Sequence, residues 1–318
     1  MNPASRQGKA AAPTLGIVGV GLIGASLALA ARRAGAVGQV LGADRSAASL
    51  DRALALGVID ERAALHEIAK ADLIVVCVPV AQMGAVFQAL APHLGPSTIV
   101  SDTGSTKVDV VAAAKTAFGE RVGQFVPAHP IAGREQHGVE AALPDLFVNR
   151  RLLLCPLQEN PGAAVTAVRM LWEAAGAHCH AMSAVQHDAV LAAVSHLPHL
   201  LSYALVAQVV NAEDALVKLD FAGAGFRDFT RIAASDPEMW RDICLANRGA
   251  LLHELDIYQA ILVQLRGMIE KGDGEGLRKV FDKASQTRSA WGTPAWGNPA
   301  SGNPASGDAP KSVPAGPQ

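Results

Sequence analysis

An α/β domain with a doubly wound parallel sheet, followed by an all-α domain, is the fold the sequence predicts. Two observations carry the first half: short β-branched runs alternate with Ala-rich helical stretches, and several of those runs are apolar throughout. A third carries the second half: beyond about residue 182 the strand signals stop and one helical pattern follows another. The chain has 318 residues, 50% hydrophobic and 18% charged, which suits two domains with sizeable cores and excludes global disorder. Aromatics make up only 4%, so Ala, Val and Leu must fill those cores.

Taken in order, residues 15–19, 40–43, 73–78, 98–101 and 124–128 read as strands, with helices at 23–34, 46–56, 83–90 and 107–117 between them. The run Leu73-Ile74-Val75-Val76-Cys77-Val78 has no polar face, as expected of a parallel strand covered on both sides. A further strand is expected at 151–154. The second half reads as helices at 183–211, 214–219, 230–235, 237–248 and 251–271, and Pro237 after Ser235-Asp236 fits a capped helix start. Residues 292–296, 297–301 and 302–306 repeat a Gly-x-Pro-Ala pattern with too little apolar surface to offset ordering entropy. The expected organisation is a flexible N-terminus at 1–13, an α/β domain at 14–181, a helical domain at 182–288 and a disordered tail at 289–318.

Charge and cysteine usage narrow the function. With 27 basic and 29 acidic residues the formal charge is −2, giving no electrostatic support for nucleic-acid or anionic-membrane binding. Cys77, Cys155, Cys179 and Cys244 are scattered, with no C-x-x-C pair, and fit buried thiols in the reducing cytoplasm. Arg6 and Lys9 ahead of residues 15–31 imitate a signal peptide, but three glycines interrupt the apolar stretch. Residues 182–210 are long enough to span a bilayer. They carry Gln186, His187, Asp188, Ser195, His196, His199 and Gln208, which are costly in lipid, so a long buried helix is expected instead.

The glycines supply the first functional signal. Gly19-Val20-Gly21-Leu22-Ile23-Gly24 follows an expected strand and opens an expected helix, the context in which G-x-G-x-x-G marks a Rossmann dinucleotide site. Gly19 permits the tight turn, Gly21 lets backbone approach a pyrophosphate, and Gly24 allows helix to pack on strand. Leu22 and Ile23 begin the helix whose N-terminus faces the phosphates. Asp44 ends the second strand about 20 residues on, where a carboxylate accepts from ribose hydroxyls and repels a 2′-phosphate. NAD is therefore expected over NADP, with Arg45 as a neighbouring charge that softens the preference. Asp44 also reads as a turn residue or cap. Val78 and Pro79 end the third strand, where a loop would pass over the cofactor, although Pro79 also serves simply to stop the strand.

Four clusters lie outside this fingerprint. Residues 101–107 (SDTGSTK) and 128–135 (AHPIAGRE) each follow a strand, where the carboxyl ends open into the ligand crevice. Ser195-His196-Leu197-Pro198-His199 places two imidazoles on one helix face, with Pro198 unable to donate to the Val194 carbonyl. Residues 226–240 hold Arg227, Asp228, Arg231 and Trp240. Each has an ordinary structural reading: Ser105 as a helix cap, His196 and His199 as a core pair, Arg231 as a surface ion-pair partner. No third and fourth ligand stands at suitable spacing, so no metal is expected.

Together, D-x-G-S-x-K at 102–107, HPIAG-x-E at 129–135, SHLPH at 195–199 and FRDFTRIA…DPEMW at 226–240 resemble the prephenate/arogenate dehydrogenases of tyrosine biosynthesis, over about residues 15–284. The resemblance implies an N-terminal Rossmann domain, a helical domain that forms a homodimer, and NAD(P)-dependent oxidative decarboxylation of a cyclohexadienol. It implies His129 as the base that takes the ring hydroxyl proton, and Ser105 as its hydrogen-bond partner. Arg231 would bind a substrate carboxylate and His199 would lie near the substrate side chain. His196, Glu135, Asp228 and Trp240 would line or gate the pocket. Arg134 departs from the small residue that many members carry. Asn149 aligns with an acidic position of some relatives, so prephenate is expected over arogenate; it also reads as a turn residue before the 151–154 strand. Tyrosine is expected as a competitive inhibitor at the same pocket. The competing readings are a β-hydroxyacid dehydrogenase, which relies on a lysine in its helical domain, and an NAD-sensing regulator, which needs no His129, Ser105 and Arg231.

Overall fold

The computed structural model describes residues 12–134 and 136–291. Two compact units divide after residue 260.

The first unit is built on a parallel six-stranded sheet of strand order β3-β2-β1-β4-β5-β6. Its strands are β1 (Thr14–Val18), β2 (Gln39–Ala43), β3 (Glu61–Arg62), β4 (Leu73–Val76), β5 (Ile99–Asp102) and β6 (Phe125–Val126). The helices between them are α1 (Leu22–Arg33), α2 (Ala47–Ala55), α3 (Leu65–Ile68), α4 (Val80–Leu90) and α5 (Val108–Phe118). Side chains alternate across the sheet. Ile17 and Val75 enter one core with Leu27, Phe147 and Trp172; Val18, Ile74 and Val76 enter the other with Phe87, Phe118 and Phe125. Both faces are therefore covered, as the unbroken apolar strands require. The chain reverses its winding between β1 and β4, so their carboxyl ends open a crevice at the switch point.

The strand expected at 124–128 is two strands. Pro127 has no N–H to continue the ladder, and its carbonyl instead accepts from the Cys155 N–H. Beyond it β7 (Ala128–Pro130) joins a second sheet, antiparallel to β8 (Arg151–Leu154), which runs parallel to β9 (His178–Ala181). Helix α6 (Gly162–Ala174) connects β8 to β9. His129 thus sits in the small sheet, opposite Leu153, beside the carboxyl edge of the large one.

The helical part begins with α7 (Ala184–Leu191), a π-helical turn (Ala192–His196) and α8 (Leu197–Val210). The turn widens the helix just ahead of Pro198, which cannot donate to the preceding turn. Residues Ala184–Val210 have a mean hydropathy of 1.5 and are the one helix among the described residues long and apolar enough to cross a membrane. The expected long buried helix is buried on one side only: His187, Asp188, His196 and Ser202 point inward, while Val185 and Val194 are about 70% exposed. Next come α9 (Ala215–Asp220), α10 (Ala224–Thr230), a 3₁₀ turn at Arg231–Ala234, α11 (Pro237–Ala246) and the start of α12 (Arg248–Lys271). The helix expected from Thr230 begins earlier, at Ala224, and tightens at Arg231. Asp236 caps α11 by accepting the Met239 N–H at 2.9 Å.

The second unit comprises the end of α12 and α13 (Gly274–Ala290). Ser289 and Ala290, expected in a disordered tail, form the last turn of α13; the remaining tail repeats and residues 1–11 lie outside the described residues.

Candidate active site

The fingerprint glycines take the conformations their spacing predicts. Gly19 has φ +91°, and its N–H donates to the Ala43 carbonyl, turning the chain from β1 toward α1. A side chain at Gly24 would meet the Gly19 carbonyl at 2.4 Å and Ile17 at 2.8 Å, so only glycine allows this helix–strand contact. Gly21 faces open space. That opening at the N-terminus of α1 fits a pyrophosphate.

A cavity of about 600 Å³ runs from Gly19 and Gly21 to Asp44, Arg45 and Pro79. The Asp44 carboxylate accepts from the Val20 N–H at 2.9 Å and the Ser46 N–H at 2.8 Å, which fixes both its place and the turn. Asp44 is thus a turn residue, one of the readings its position suggested, and it also lines the cavity. A second cavity of about 480 Å³ shares Gly21, Cys77, Val78 and Pro79 with the first and adds Leu22, Ile23, Ser105, His129, His196 and Trp240. One end of this groove would suit an adenosine, and the other, which His129 lines, a nicotinamide.

Around His129 the polar groups are tightly organised. Its Nδ1 lies 2.9 Å from His187 Nε2, and His187 Nδ1 lies 2.7 Å from Asp188 Oδ1. The Asp188 carboxylate also accepts the Lys107 and Val108 N–H groups, each at 2.8 Å, at the start of α5. Lys107 and Asp102 form an ion pair at 2.6 Å with both side chains fully buried. Asp102 further accepts the Gly104 N–H at 2.8 Å and the Ala128 N–H at 3.0 Å. One carboxylate thus ties the Ser105 loop to the strand that carries His129.

Burial and neighbouring charges lower the proton affinity of His129 and His196. Burial, then the nearby His187, Lys107 and His196, hold the His129 pKa well below the ordinary histidine value. Burial pulls His196 down to about 4, against the opposing charge of Asp188. For Asp188, burial works upward, but the hydrogen bonds from His187, Val108 and Lys107 outweigh it and leave the carboxyl below its usual range. Burial likewise pushes the Cys77 thiol up to about 12, so this wall residue is no thiolate.

Not every expected residue reaches the cavity. Ser105 lines it, but no described hydrogen bond joins Ser105 to His129; the imidazole partner is His187. His199 is not among the residues lining the cavity but stacks on Trp240, which is, with ring centroids 3.6 Å apart and its Nδ1 2.9 Å from the Ser195 carbonyl. Arg231 opens the 3₁₀ turn and lies close enough to His199 to lower its pKa, an effect smaller than that of burial. Asp228 is exposed on α10, outside the cavity wall. Asn149 must be corrected: it is exposed at φ +59°, its N–H bonded to the Gly176 carbonyl, and is a turn residue rather than a pocket residue. Glu135 lies outside the described residues. Sequence reasoning missed His187, Asp188, His137 and Asp236; of these, a buried His-Asp pair within an apolar helix was the one available signal.

Comparison with known proteins accords with this geometry. The sequence profile of the prephenate dehydrogenase nucleotide-binding domain matches residues 27–181, and that of the prephenate dehydrogenase dimerization domain matches residues 183–283. A cyclohexadienyl dehydrogenase from Zymomonas mobilis is 38% identical over 280 residues, 87% of this chain and 95% of its own. A prephenate dehydrogenase from Bacillus subtilis is 38% identical over 281 residues, 86% of this chain and 75% of its own. The crystal structure of A. aeolicus prephenate dehydrogenase in complex with hydroxyphenyl propionate and NAD+ superposes with a TM-score of 0.82 at 33% identity, covering 87% of this chain and 97% of that one. With a fingerprint-lined groove, a partly buried histidine on its wall, and matched profiles along both halves, the chain belongs to the prephenate dehydrogenase family.

Proposed function

We propose that this NAD-dependent oxidoreductase converts prephenate to 4-hydroxyphenylpyruvate by oxidative decarboxylation. The single observation that carries the proposal is the placement of His129, neutral and walled into the groove next to the fingerprint helix, where a ring hydroxyl and a nicotinamide would meet. Bound NAD supplies the acceptor for the hydride that leaves the hydroxyl-bearing carbon. Gly21, Leu22 and Ile23 hold the cofactor's phosphates, and Asp44 its ribose. His129 Nε2 takes the hydroxyl proton, since Nδ1 is engaged by His187. Ser105 borders the same space and orients the hydroxyl. Once the carbonyl forms, the ring carboxylate leaves as CO₂ and the ring becomes aromatic.

Support for a keto-acid substrate comes from Arg134, which lines the cavity and favours carboxylates over an ammonium group. A role for Arg231 and His199 at the side-chain end rests on the family resemblance. Asp236 also borders the cavity and favours a second reading, in which arogenate is used as well. Outward apolar residues of α7 and of the π-helical turn, such as Val185 and Val194, support a homodimer through the helical part. Tyrosine, which resembles the product, would compete at the same cavity. Four free cysteines support a reducing, cytoplasmic location. The test is kcat/KM for prephenate and arogenate, each with NAD and NADP. Prephenate with NAD is expected to give the highest value, and a clear preference for arogenate would overturn the substrate assignment.

A further inference from the structure

We infer that His187 and Asp188 are positioning residues that set the tautomer of His129, so that its bare Nε2 nitrogen is presented to the substrate. The inference deepens the proposed reaction and rests on it for the identity of the base. The contacts determine the direction of the chain. The Asp188 carboxylate is only an acceptor, and it already receives two backbone N–H groups. His187 Nδ1, 2.7 Å away, must therefore carry a hydrogen and donate it. With Nδ1 used as the donor, Nε2 is the one ring nitrogen of His187 left to accept, and His129 Nδ1, 2.9 Å away, donates to it. That places the His129 hydrogen on Nδ1 and leaves the lone pair of Nε2 toward the cavity that His129 lines. Reversing the first bond would put a hydrogen on His129 Nε2 and abolish the base.

The surroundings hold this chain in one orientation. His187 is fully buried and Asp188 nearly so, so water does not compete for either nitrogen. Asn247 donates to the Asp188 backbone carbonyl at 2.8 Å and lies 3.0 Å from His196 Nδ1, fixing α7 against the π-helical turn. When His129 accepts the hydroxyl proton it becomes an imidazolium whose Nδ1–H already points at His187. The Asp188 anion then stabilises that cation through the intervening ring without any side chain turning. Neither His187 nor Asp188 lines the cavity, so both act only through His129.

The test uses the full chain labelled with ¹⁵N-histidine, with the His129 signals assigned by their loss in His129→Asn. Native protein is expected to show His129 as the Nδ1–H tautomer. His187→Gln, whose amide oxygen can accept from Nδ1–H, is expected to keep that tautomer and to lie within about ten-fold of native kcat. His187→Leu is expected to lose the single tautomer and to lower kcat by ~10²–10⁴-fold, with KM for NAD unchanged. A native His129 carrying its hydrogen on Nε2 overturns the inference, as does a His187→Leu variant with native kcat. If His187→Leu does not fold, the native tautomer alone decides. Native protein that shows the Nδ1–H tautomer but leaves prephenate unchanged would sink the substrate reading and leave the positioning role standing.

Discussion

Removing the charge of Asp102 tests how far stability and catalysis depend on one buried carboxylate. Asp102 is fully buried, as is Lys107, whose ammonium lies 2.6 Å away. The same carboxylate accepts the Gly104 and Ala128 N–H groups. Asp102→Asn preserves shape but leaves a buried lysine without its counter-charge. Breaking a buried pair from one side costs ~3–5 kcal/mol, because the partner stays desolvated. That is a large part of the roughly 5–15 kcal/mol by which domains are stable. For a chain of this size it lowers Tm by about 10 °C. Urea unfolding followed by tryptophan fluorescence, at one protein concentration, measures it directly. The double variant Asp102→Asn/Lys107→Met removes the stranded cation and should be more stable than Asp102→Asn alone. A cost below about 1 kcal/mol for Asp102→Asn, or simple additivity in the double variant, would refute the reasoning.

Further outcomes follow from the same geometry. His196 is held at about 4 in the folded chain against 6.5 for the free group, so between those values the unfolded state binds the extra proton. Stability should then fall by about 3 kcal/mol as pH drops from 7 to 4, and His196→Gln should flatten that slope in urea titrations at several pH values. Because His129 is also depressed, the acid limb of kcat/KM should lie below the usual histidine range; a limb centred at 6.5 would contradict the assignment. Asp44→Asn should weaken kcat/KM for NAD by ~10–100-fold and narrow its advantage over NADP, as measured with both cofactors. Arg231→Gln should raise KM for prephenate by on the order of 30-fold, about 2 kcal/mol; an unchanged KM in a folded variant would remove Arg231 from substrate binding.

The dinucleotide half was legible because its signals are local. A glycine at φ +91° and another packed against a carbonyl leave a spacing that any reader of the chain can see. The two-sided burial of β4 shows in the same way, as an unbroken apolar run. What stayed hidden depends on long-range placement. His187 and Asp188 look like polar interruptions of an apolar helix until folding sets them against residues about 60–80 positions earlier in the chain. Pro127 splits the strand expected at 124–128 between two sheets, so His129, expected just beyond that strand, lies within the small sheet. A short loop gives no register, so the sequence leaves Asn149 open between a pocket position and a turn, and its positive φ decides for the turn. The family motif, not any local signal, places His199 and Arg231 near the substrate; in the fold His199 stacks on Trp240.

On the proposed reading, His129 in this groove takes the proton of an NAD-linked dehydrogenation. The most direct measurement is NADH formation from prephenate by the native chain and by His129→Asn, with NAD binding to each titrated in parallel. The native chain is predicted to form NADH, and the variant to bind NAD equally well while turning over ~10²–10⁴-fold more slowly. A folded variant with near-native kcat, or a native chain that binds NAD and forms no NADH from prephenate, would contradict it.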